Sequence, residues 1–333
     1  MNSISRIAAV GALAALGFAG TPAEAQLRSI TIGTNPSGTT FYLLGGGFAR
    51  LFQEKLQIRS TAQPMGGSSV YLPMVASGEM TLGISSNIDA GMAFSGQFAF
   101  PQPMPELRAI GNVWQLPYAY ITRADTGIVQ MEDLRGRRVM GDMPTNVALT
   151  QINIAMLASG GLDATDVQWQ RSGGLIDGIN AVTEGRTDAA PVATSMPALI
   201  EAHNAVSGGL RIIANGDQAI EGFYGDLVPG TREFLQQPRE ASPFVIGETP
   251  IVAYDTLIVT SAALSDDDVY LLTKTVHENW ADLQQDYPPM RSVSSDAFVL
   301  VNTTVPYHPG AIRYFEEAGL WTEAHAANQA RFD

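Results

Sequence analysis

The sequence predicts an α/β protein made of two lobes with a ligand cleft between them. Short apolar runs alternate with helix-length segments along the chain, which is typical of strands covered by helices. The chain has 333 residues, and single cores stop growing near about 250–300 residues, so two lobes are expected. Ligands of such folds bind beyond the carboxyl ends of the strands, so the loops that follow the strands are the first place to search for function.

Residues 1–25 predict a secretory signal peptide. Arg6 supplies a positive charge, Ile7 to Gly20 is apolar, and Ala23-Glu24-Ala25 fits the pattern of a cleavage site between small residues. The apolar run is shorter than the roughly 20 residues that span a bilayer. We therefore expect cleavage after Ala25 and a mature protein in the periplasm.

The composition excludes several classes of partner. The formal net charge is −14, and Lys55 and Lys274 are the only lysines, which argues against nucleic acid and anionic membrane as partners. The chain contains no cysteine, so disulfides, thiol nucleophiles and thiolate metal sites are excluded. An anionic ligand would have to be held locally, against the overall charge.

Seven apolar runs are the clearest predicted strands, and their alternation with helical segments favours parallel sheets. They are Ser29–Ile32, Ile58–Gln63, Leu82–Ser85, Leu107–Val113, Arg138–Met140, Val167–Gln170 and Leu210–Ala214. The segments Tyr118–Arg123 and Thr256–Thr260 are predicted to join the lobes. Lobe 1 then comprises residues 26–117 plus 252–333, and lobe 2 comprises residues 118–251. The C-terminal part is predicted to be mainly helical, with Ser265 as an N-cap.

An internal echo supports two similar units. Gly67 to Gly83 can be laid over Gly174 to Ala190, since in each a glycine loop opens a helix, a glycine closes it and a strand follows. Gly78 and Gly185 suit the left-handed position at a helix end. The echo reflects either an internal repeat or the general likeness of strand–helix units.

Motifs of enzymes are missing from the sequence. No serine lies in a Gly-x-Ser-x-Gly elbow, and His277-Glu278 begins like a zinc-protease motif but has Ala281 where the second histidine belongs. The opening loop, Gly33 to Gly38, lacks the lysine of a phosphate-binding loop. We expect a binding protein rather than an enzyme, with no cofactor and no metal.

Hydroxyl and amide side chains cluster in five loops that should line the cleft. Neutral donors and helix N-termini can bind a carboxylate without a salt bridge. From these loops we select Asn35, Ser37, Thr39, Thr40, Gly67, Ser68, Ser69, Ser86, Asn87, Thr145, Asn146 and Thr194 as ligand-binding residues. Each alone is more often a helix cap than a ligand contact, so the prediction depends on their convergence.

Several larger side chains leave alternatives open. Arg171 has two interpretations: its side chain binds a carboxylate of the ligand, or it is a solvated arginine at the edge of a lobe. Asp142 holds a ligand amino group or caps the following helix. Trp114 and Tyr118 form an apolar wall of the cleft or pack the hinge, and we include Trp114 among the ligand-binding residues.

Short motifs occur in a specific order over nearly the whole mature chain. They are Ile32-Gly-Thr with Phe41-Tyr42-x-x-Gly45, Gly67-Ser68, Ala76-Ser-Gly-Glu79 with Leu82-Gly83, Arg123-Ala-Asp-x-Gly-Ile128, Asp133-Leu-Arg-Gly-Arg137, Gly185-x-x-Asp188-Ala189 and His308-Pro-Gly-Ala311 before Arg313-Tyr314. In the order and spacing of these motifs, the sequence resembles the TAXI family of extracytoplasmic solute receptors, the binding components of TRAP-type transporters.

The resemblance implies a type II periplasmic-binding-protein fold, with two α/β lobes on a two-segment hinge. It also implies TRAP transporter membrane subunits as partners and a small organic acid or acidic amino acid as ligand. The family's first loop, here Gly33 to Tyr42, and its Gly-Ser turn, here Gly67-Ser68, supply much of the ligand contact, which adds Tyr42 to the set. We expect a monomer.

The sequence departs from the family in the turn of lobe 2. Pro144-Thr145-Asn146-Val147 stands where Gly-Ser-Gly-Thr is common in the family. The resemblance therefore predicts the fold of this chain but not the identity of its ligand. Two alternatives stay open, a sensor that presents its bound ligand to a signalling partner and an enzyme built on the same two-lobed fold.

Overall fold

The computed structural model describes residues 27–98 and 100–332, so the predicted signal peptide and its cleavage site lie outside the described residues. The described residues form ten strands. They are β1 (Ser29–Thr34), β2 (Arg59–Pro64), β3 (Leu82–Ser86), β4 (Leu107–Arg123), β5 (Arg138–Asp142), β6 (Gln168–Arg171), β7 (Ala190–Ala193), β8 (Leu210–Ile213), β9 (Thr231–Gln236) and β10 (Thr249–Ser261). All seven predicted runs fall on strands.

The described residues also form eleven α-helices, with short 3₁₀ helices between them. The α-helices are α1 (Thr40–Leu56), α2 (Ser68–Ala76), α3 (Asn87–Ser95), α4 (Val147–Ser159), α5 (Leu175–Thr183), α6 (Pro197–Ala205), α7 (Phe223–Leu227), α8 (Asp266–Glu278), α9 (Trp280–Asp286), α10 (Pro309–Glu317) and α11 (Glu323–Gln329). The 3₁₀ helices are Ala124–Thr126, Met131–Leu134, Pro288–Ser292, Ser295–Phe298 and Ala330–Phe332.

The strands build one eight-stranded sheet and a separate pair. The main sheet has the order β2-β1-β3-β10-β4-β7, with β8 also paired to β4 and β9 to β10, while β5 pairs with β6. We call the elements around β1–β3, with α1–α3 and the C-terminal helices, lobe 1, and those around β5–β9, with α4–α7, lobe 2. Strand β1 is parallel to β2 and β3, but β10 is antiparallel to β3, β4 and β9. The expected parallel pairing is therefore confirmed for β1–β3 and for β5 with β6, while the long strands β4 and β10 add antiparallel pairs.

The two long strands pass through both lobes. Strand β4 has 17 residues and β10 has 13, whereas the sequence predicted a short strand followed by a crossover. Past Val113 the strand continues with buried Trp114, Leu116 and Tyr118–Tyr120, while Gln115 and Pro117 are half-buried. A strand buried on both faces reads as a nearly continuous apolar run, so the sequence shows no break where the chain leaves lobe 1.

The two units of the internal echo have the same local structure. Helices α2 and α5 both have nine residues. Gly78 and Gly185 follow them with φ of 79° and 73°, the left-handed conformation that glycine adopts most readily. The prediction for both glycines is confirmed.

The C-terminal part is helical, as predicted. The Ser265 Oγ accepts a hydrogen bond of 3.1 Å from the Asp268 amide and caps α8, with three aspartates in the first turn. Within the described ranges, no helix has both the length and the apolar character that crossing a membrane would require.

Candidate functional site

The first candidate loop links β1 to α1. The Thr39 side chain caps α1, since its Oγ1 accepts from the Tyr42 amide at 3.3 Å and donates to the Pro36 carbonyl at 2.7 Å. Thr40 is fully buried, and its Oγ1 shares a hydrogen bond of 3.1 Å with the Ser195 Oγ in lobe 2. The start of α1 therefore touches both lobes.

A second contact between the lobes joins the β2–α2 loop to the β5–α4 loop. The Thr145 Oγ1 donates to the Gly66 carbonyl at 3.1 Å, and the Ser69 amide donates to the Thr145 carbonyl at 3.2 Å. A Cβ atom on Gly67 would lie 2.4 Å from the Thr145 carbonyl oxygen. Only a glycine at position 67 allows the two loops to approach this closely.

Four buried polar side-chain atoms, three at the candidate loops and one in β10, have no hydrogen-bond partner among the described residues. They are the Oδ1 atoms of Asn35 and Asn146, the Oγ of Ser69 and the Oγ1 of Thr256. Asn35 is 4% exposed and Asn146 is 6% exposed. Buried polar groups in folded proteins are nearly always paired, so these four are the best candidates for ligand contacts.

Thr256 was not selected from the sequence. It lies in β10 opposite Ser86 of β3 and Trp114 of β4. It therefore belongs to the part of the main sheet that we call the shared floor of the site, next to candidate residues Ser86 and Trp114. The sequence placed it in a segment joining the lobes. Its neighbours are distant along the chain, so no local pattern could have identified it as a site residue.

Other selected residues already have partners within the protein. The Asn87 Nδ2 donates to the Asn302 carbonyl at 3.0 Å, and its Oδ1 accepts from the Thr304 amide at 2.9 Å. The Ser86 Oγ caps α3, and the Thr194 Oγ1 donates to the Gln236 Oε1 at 3.0 Å. These side chains hold the loops in place rather than presenting free groups.

The remaining selected residues differ in their surroundings. Ser37 is exposed, Tyr42 is half-buried, and Ser68 is fully buried with its Oγ 3.3 Å from the Tyr71 hydroxyl. Trp114 is buried and packs edge-on against Phe41 with ring centroids 5.6 Å apart. Thus Trp114 packs the base of α1 next to the cleft.

Arg171 and Asp142 pair with each other. The Arg171 Nε lies 3.4 Å from the Asp142 Oδ2, and the arginine side chain is 72% exposed. The two residues end the neighbouring parallel strands β6 and β5. Of the two interpretations of Arg171, the exposed side chain agrees with a solvated arginine at the edge of a lobe.

A buried carboxylate that the sequence analysis missed lies at the centre of the site. Asp89, on α3, is 1% exposed. Its Oδ2 accepts from the Ser86 Oγ at 3.1 Å, and its Oδ1 accepts from the Ala148 amide of α4 at 3.4 Å, across the two lobes. Burial raises the pKa of Asp89 to about 6, against hydrogen bonds from Ser68, Ser86 and Ala148 that lower it.

Replacing Asp89 with asparagine should change how stability depends on pH. The folded-state pKa of about 6 exceeds the ordinary value of 3.8, so the stabilising contribution is present below pH 3.8 and is lost as the pH rises through 6. Relative to Asp89→Asn, the parent should lose about 2 kcal/mol of unfolding free energy between about pH 4 and pH 8. Urea unfolding of both proteins across this range measures the difference, with exposed Asp226→Asn as the control. A difference that stays constant with pH would contradict the assignment.

A side pocket opens between the lobes beside this junction. It has a volume of about 130 Å³ and is lined by residues of lobe 1, including Trp114 and Arg291, and of lobe 2, including Thr194, Ser195 and Arg239. Ser195 therefore touches the pocket and also bonds to Thr40.

The described residues contain no group of three or more histidine, cysteine, aspartate or glutamate side chains that could hold a metal ion. Buried His308 caps α10, since its Nδ1 accepts from the Gly310 amide at 3.1 Å. The His277 Nδ1 lies 2.8 Å from the Tyr314 hydroxyl. Both rings have structural hydrogen bonds.

The comparison with protein families gives one match that covers most of the chain. The model described as the NMT1-like family matches residues 32–319. This span contains all the candidate loops and both long strands.

Solved structures with the same fold are periplasmic-type binding proteins. MatC from Rhodopseudomonas palustris, solved with bound malate, has a TM-score of 0.57 at 12% identity, covering 92% of this chain and 100% of that chain. The alkanesulfonate-binding protein SsuA from Xanthomonas axonopodis pv. citri, bound to MOPS, scores 0.52 at 15% identity, covering 92% and 85%. PhnD1 from Prochlorococcus marinus, in complex with methylphosphonate, scores 0.52 at 11% identity, covering 80% and 89%. The predicted periplasmic-binding-protein fold is confirmed.

Proposed function

Because the chain belongs to the NMT1-like family, we propose that it is the extracytoplasmic solute receptor of a TRAP-type transporter. It binds a small organic anion, an organic acid or an acidic amino acid, in the periplasm as a monomer and delivers it to the membrane permease. The TAXI-type motifs of the sequence support this more specific assignment.

The observation that carries the proposal is the set of unpaired polar atoms where the lobes meet. Asn35 and Ser69 belong to lobe 1, Asn146 belongs to lobe 2, and Thr256 lies on the shared floor. The hydroxyls of Ser69 and Thr256 and the helix N-termini can donate to an anion bound in a chain of net charge −14, whereas each asparagine Oδ1 accepts and suits a donor group of the ligand, such as an ammonium or a hydroxyl. The compared proteins use the same fold for malate, a sulfonate and a phosphonate.

The long strands supply the hinge of this receptor. Up to Pro117, β4 faces β10 alongside lobe 1, and from Tyr118 it also pairs with β7 of lobe 2. Strand β10 pairs with β9 up to Tyr254 and with β3 from Thr256. The change at Tyr118 favours the proposed boundary after residue 117, whereas the change in β10 favours a boundary near Asp255 rather than between residues 251 and 252. Opening then requires a bend near Tyr118 and Asp255.

A small carboxylate should stabilise the folded protein against heat. Any ligand specific to the folded state raises its stability, by about 2.7 kcal/mol at a concentration of 100 times Kd. A thermal-shift panel of succinate, malate, citrate, glutamate and several sugars at equal concentration should show a shift for one or a few of the acids.

Mass spectrometry of the ligand released from freshly purified protein provides the independent check. An organic acid in the released fraction supports the proposal. Sugars that stabilise the protein while every organic acid leaves the melting temperature unchanged would overturn it, and conversion of a bound acid into a product would restore the enzyme alternative.

A further inference from the structure

The side pocket has a composition that differs from the rest of this acidic chain. Two of its thirteen lining residues are arginines, Arg239 and Arg291, and none is an aspartate or glutamate. Serine, threonine and glutamine side chains contribute hydrogen-bonding groups, and Trp114 and Phe234 contribute apolar walls. A concave site with apolar walls and a few convergent polar groups is typical of ligand pockets.

Arg291 is held in place from lobe 1. Its Nε donates to the Gln284 carbonyl at 2.8 Å, and its Nη2 donates to the Gln285 carbonyl at 3.2 Å. Both carbonyls belong to the last turn of α9, where a positive charge is favourable. These bonds use two of the five guanidinium N–H groups and leave Nη1 for another acceptor.

Arg239 approaches the pocket from lobe 2. It lies in a tight turn after β9, in which the Ser242 amide donates to the Arg239 carbonyl at 2.9 Å. Its guanidinium has neither an ion pair nor a hydrogen bond with any residue in the described part of the chain. The pocket is thus lined by one arginine from each lobe.

The pocket adjoins the cleft through Ser195 and Thr194. The Ser195 Oγ bonds to Thr40 at the start of α1, while both residues also line the pocket. Ser195 therefore links the start of α1 in the cleft to the lining of the pocket. Arginine is the side chain best suited to bind carboxylates and other oxyanions, through paired N–H groups.

We propose that the side pocket is a subsite for a terminal oxyanion group of the ligand, held by Arg239 and Arg291. This inference rests on the proposed receptor function and makes it more specific, because the neutral groups of the cleft then bind the rest of the molecule. The preferred ligands carry two polar ends, as a dicarboxylate does, rather than a single acid group on an apolar chain.

The test compares acids with their monoamides. Calorimetry gives Kd for succinate, malate and glutamate and for the corresponding monoamides succinamate, malamate and glutamine. The amide keeps the shape of the terminal group but removes its charge. The parent should bind at least one acid about tenfold or more tightly than its amide, since bonds to charged groups are stronger than neutral ones.

Arg239→Gln and Arg291→Gln should each reduce this preference about tenfold and bind the amide as the parent does. Arg313→Gln, which removes the same charge from an exposed position of α10, should leave the preference unchanged, and circular dichroism confirms that each variant is folded. An unchanged preference in both pocket variants, with the parent still binding acids, overturns the subsite alone. If the parent binds none of the acids, the proposed receptor function fails and the subsite fails with it.

Discussion

Gly67→Ala should weaken binding of an organic acid by about 10- to 100-fold and should leave the separate lobes folded. The new Cβ atom would lie 2.4 Å from the Thr145 carbonyl oxygen and 3.2 Å from the Asn146 Cβ, both in lobe 2. The φ of Gly67 is 161°, an extended conformation that alanine also adopts. The clash therefore arises between the lobes, and opening relieves it.

Gly66→Ala is the matched control for this prediction. The nearest atom to its new Cβ would be the Thr145 Cγ2 at 3.6 Å, an ordinary contact, while the effect of alanine on the unfolded chain is the same at both positions. Calorimetry measures affinity, and X-ray scattering measures the contraction that ligand causes. Equal affinity and equal contraction for Gly67→Ala, Gly66→Ala and the parent would show that the contact between these loops does not control closure.

Asn35→Ala and Asn146→Ala should each weaken binding of an acidic amino acid by about ten- to a hundredfold, because each Oδ1 can accept from the ligand's ammonium group and losing a hydrogen bond to a charged group costs about 1.5–3 kcal/mol. The Oδ1 of each asparagine is buried without a partner in the described residues. Removing either side chain therefore breaks no side-chain hydrogen bond through that oxygen, and we expect the melting temperature of the protein without ligand to change little.

Asn180→Ala serves as the control, since it removes the same side chain from an exposed position of α5. Asn146→Ala should also reduce the contraction on ligand binding, since the residue belongs to the lobe that closes. Parent-like affinity in both Asn35→Ala and Asn146→Ala would mean that the unpaired oxygens do not face the ligand.

The features that depend on neighbours along the chain were predictable. The β1–α1 loop, the glycines that end α2 and α5 and the capping by Ser265 all follow from short local patterns. The resemblance to the family, based on its motifs, also predicted the two-lobed fold. The lobe boundaries and the ligand contacts remain predictions.

The features that depend on distant neighbours were not predictable. Asp89 gave no sequence signal, because an acidic residue in the first turn of a helix is normally a surface residue that favours the helix dipole. Its burial comes from α4 of the other lobe, 59 positions away in the chain. Arg239 and Arg291 meet at one pocket for the same reason, and Arg171 and Asp142 satisfy each other because β5 and β6 are neighbours.

The position of Asp89 links the proposed closure to proton uptake. Separating the lobes removes the Ala148 hydrogen bond, which lowers the pKa of Asp89, but it also admits water and so removes the larger effect of burial, and the pKa falls from about 6 toward its ordinary value of 3.8. At a pH between these values, closing over a ligand takes up part of a proton and opening releases it. The heat of binding should then differ between buffers of different ionisation enthalpy, and a receptor in an acidified periplasm should hold its ligand more tightly than the same receptor at neutral pH.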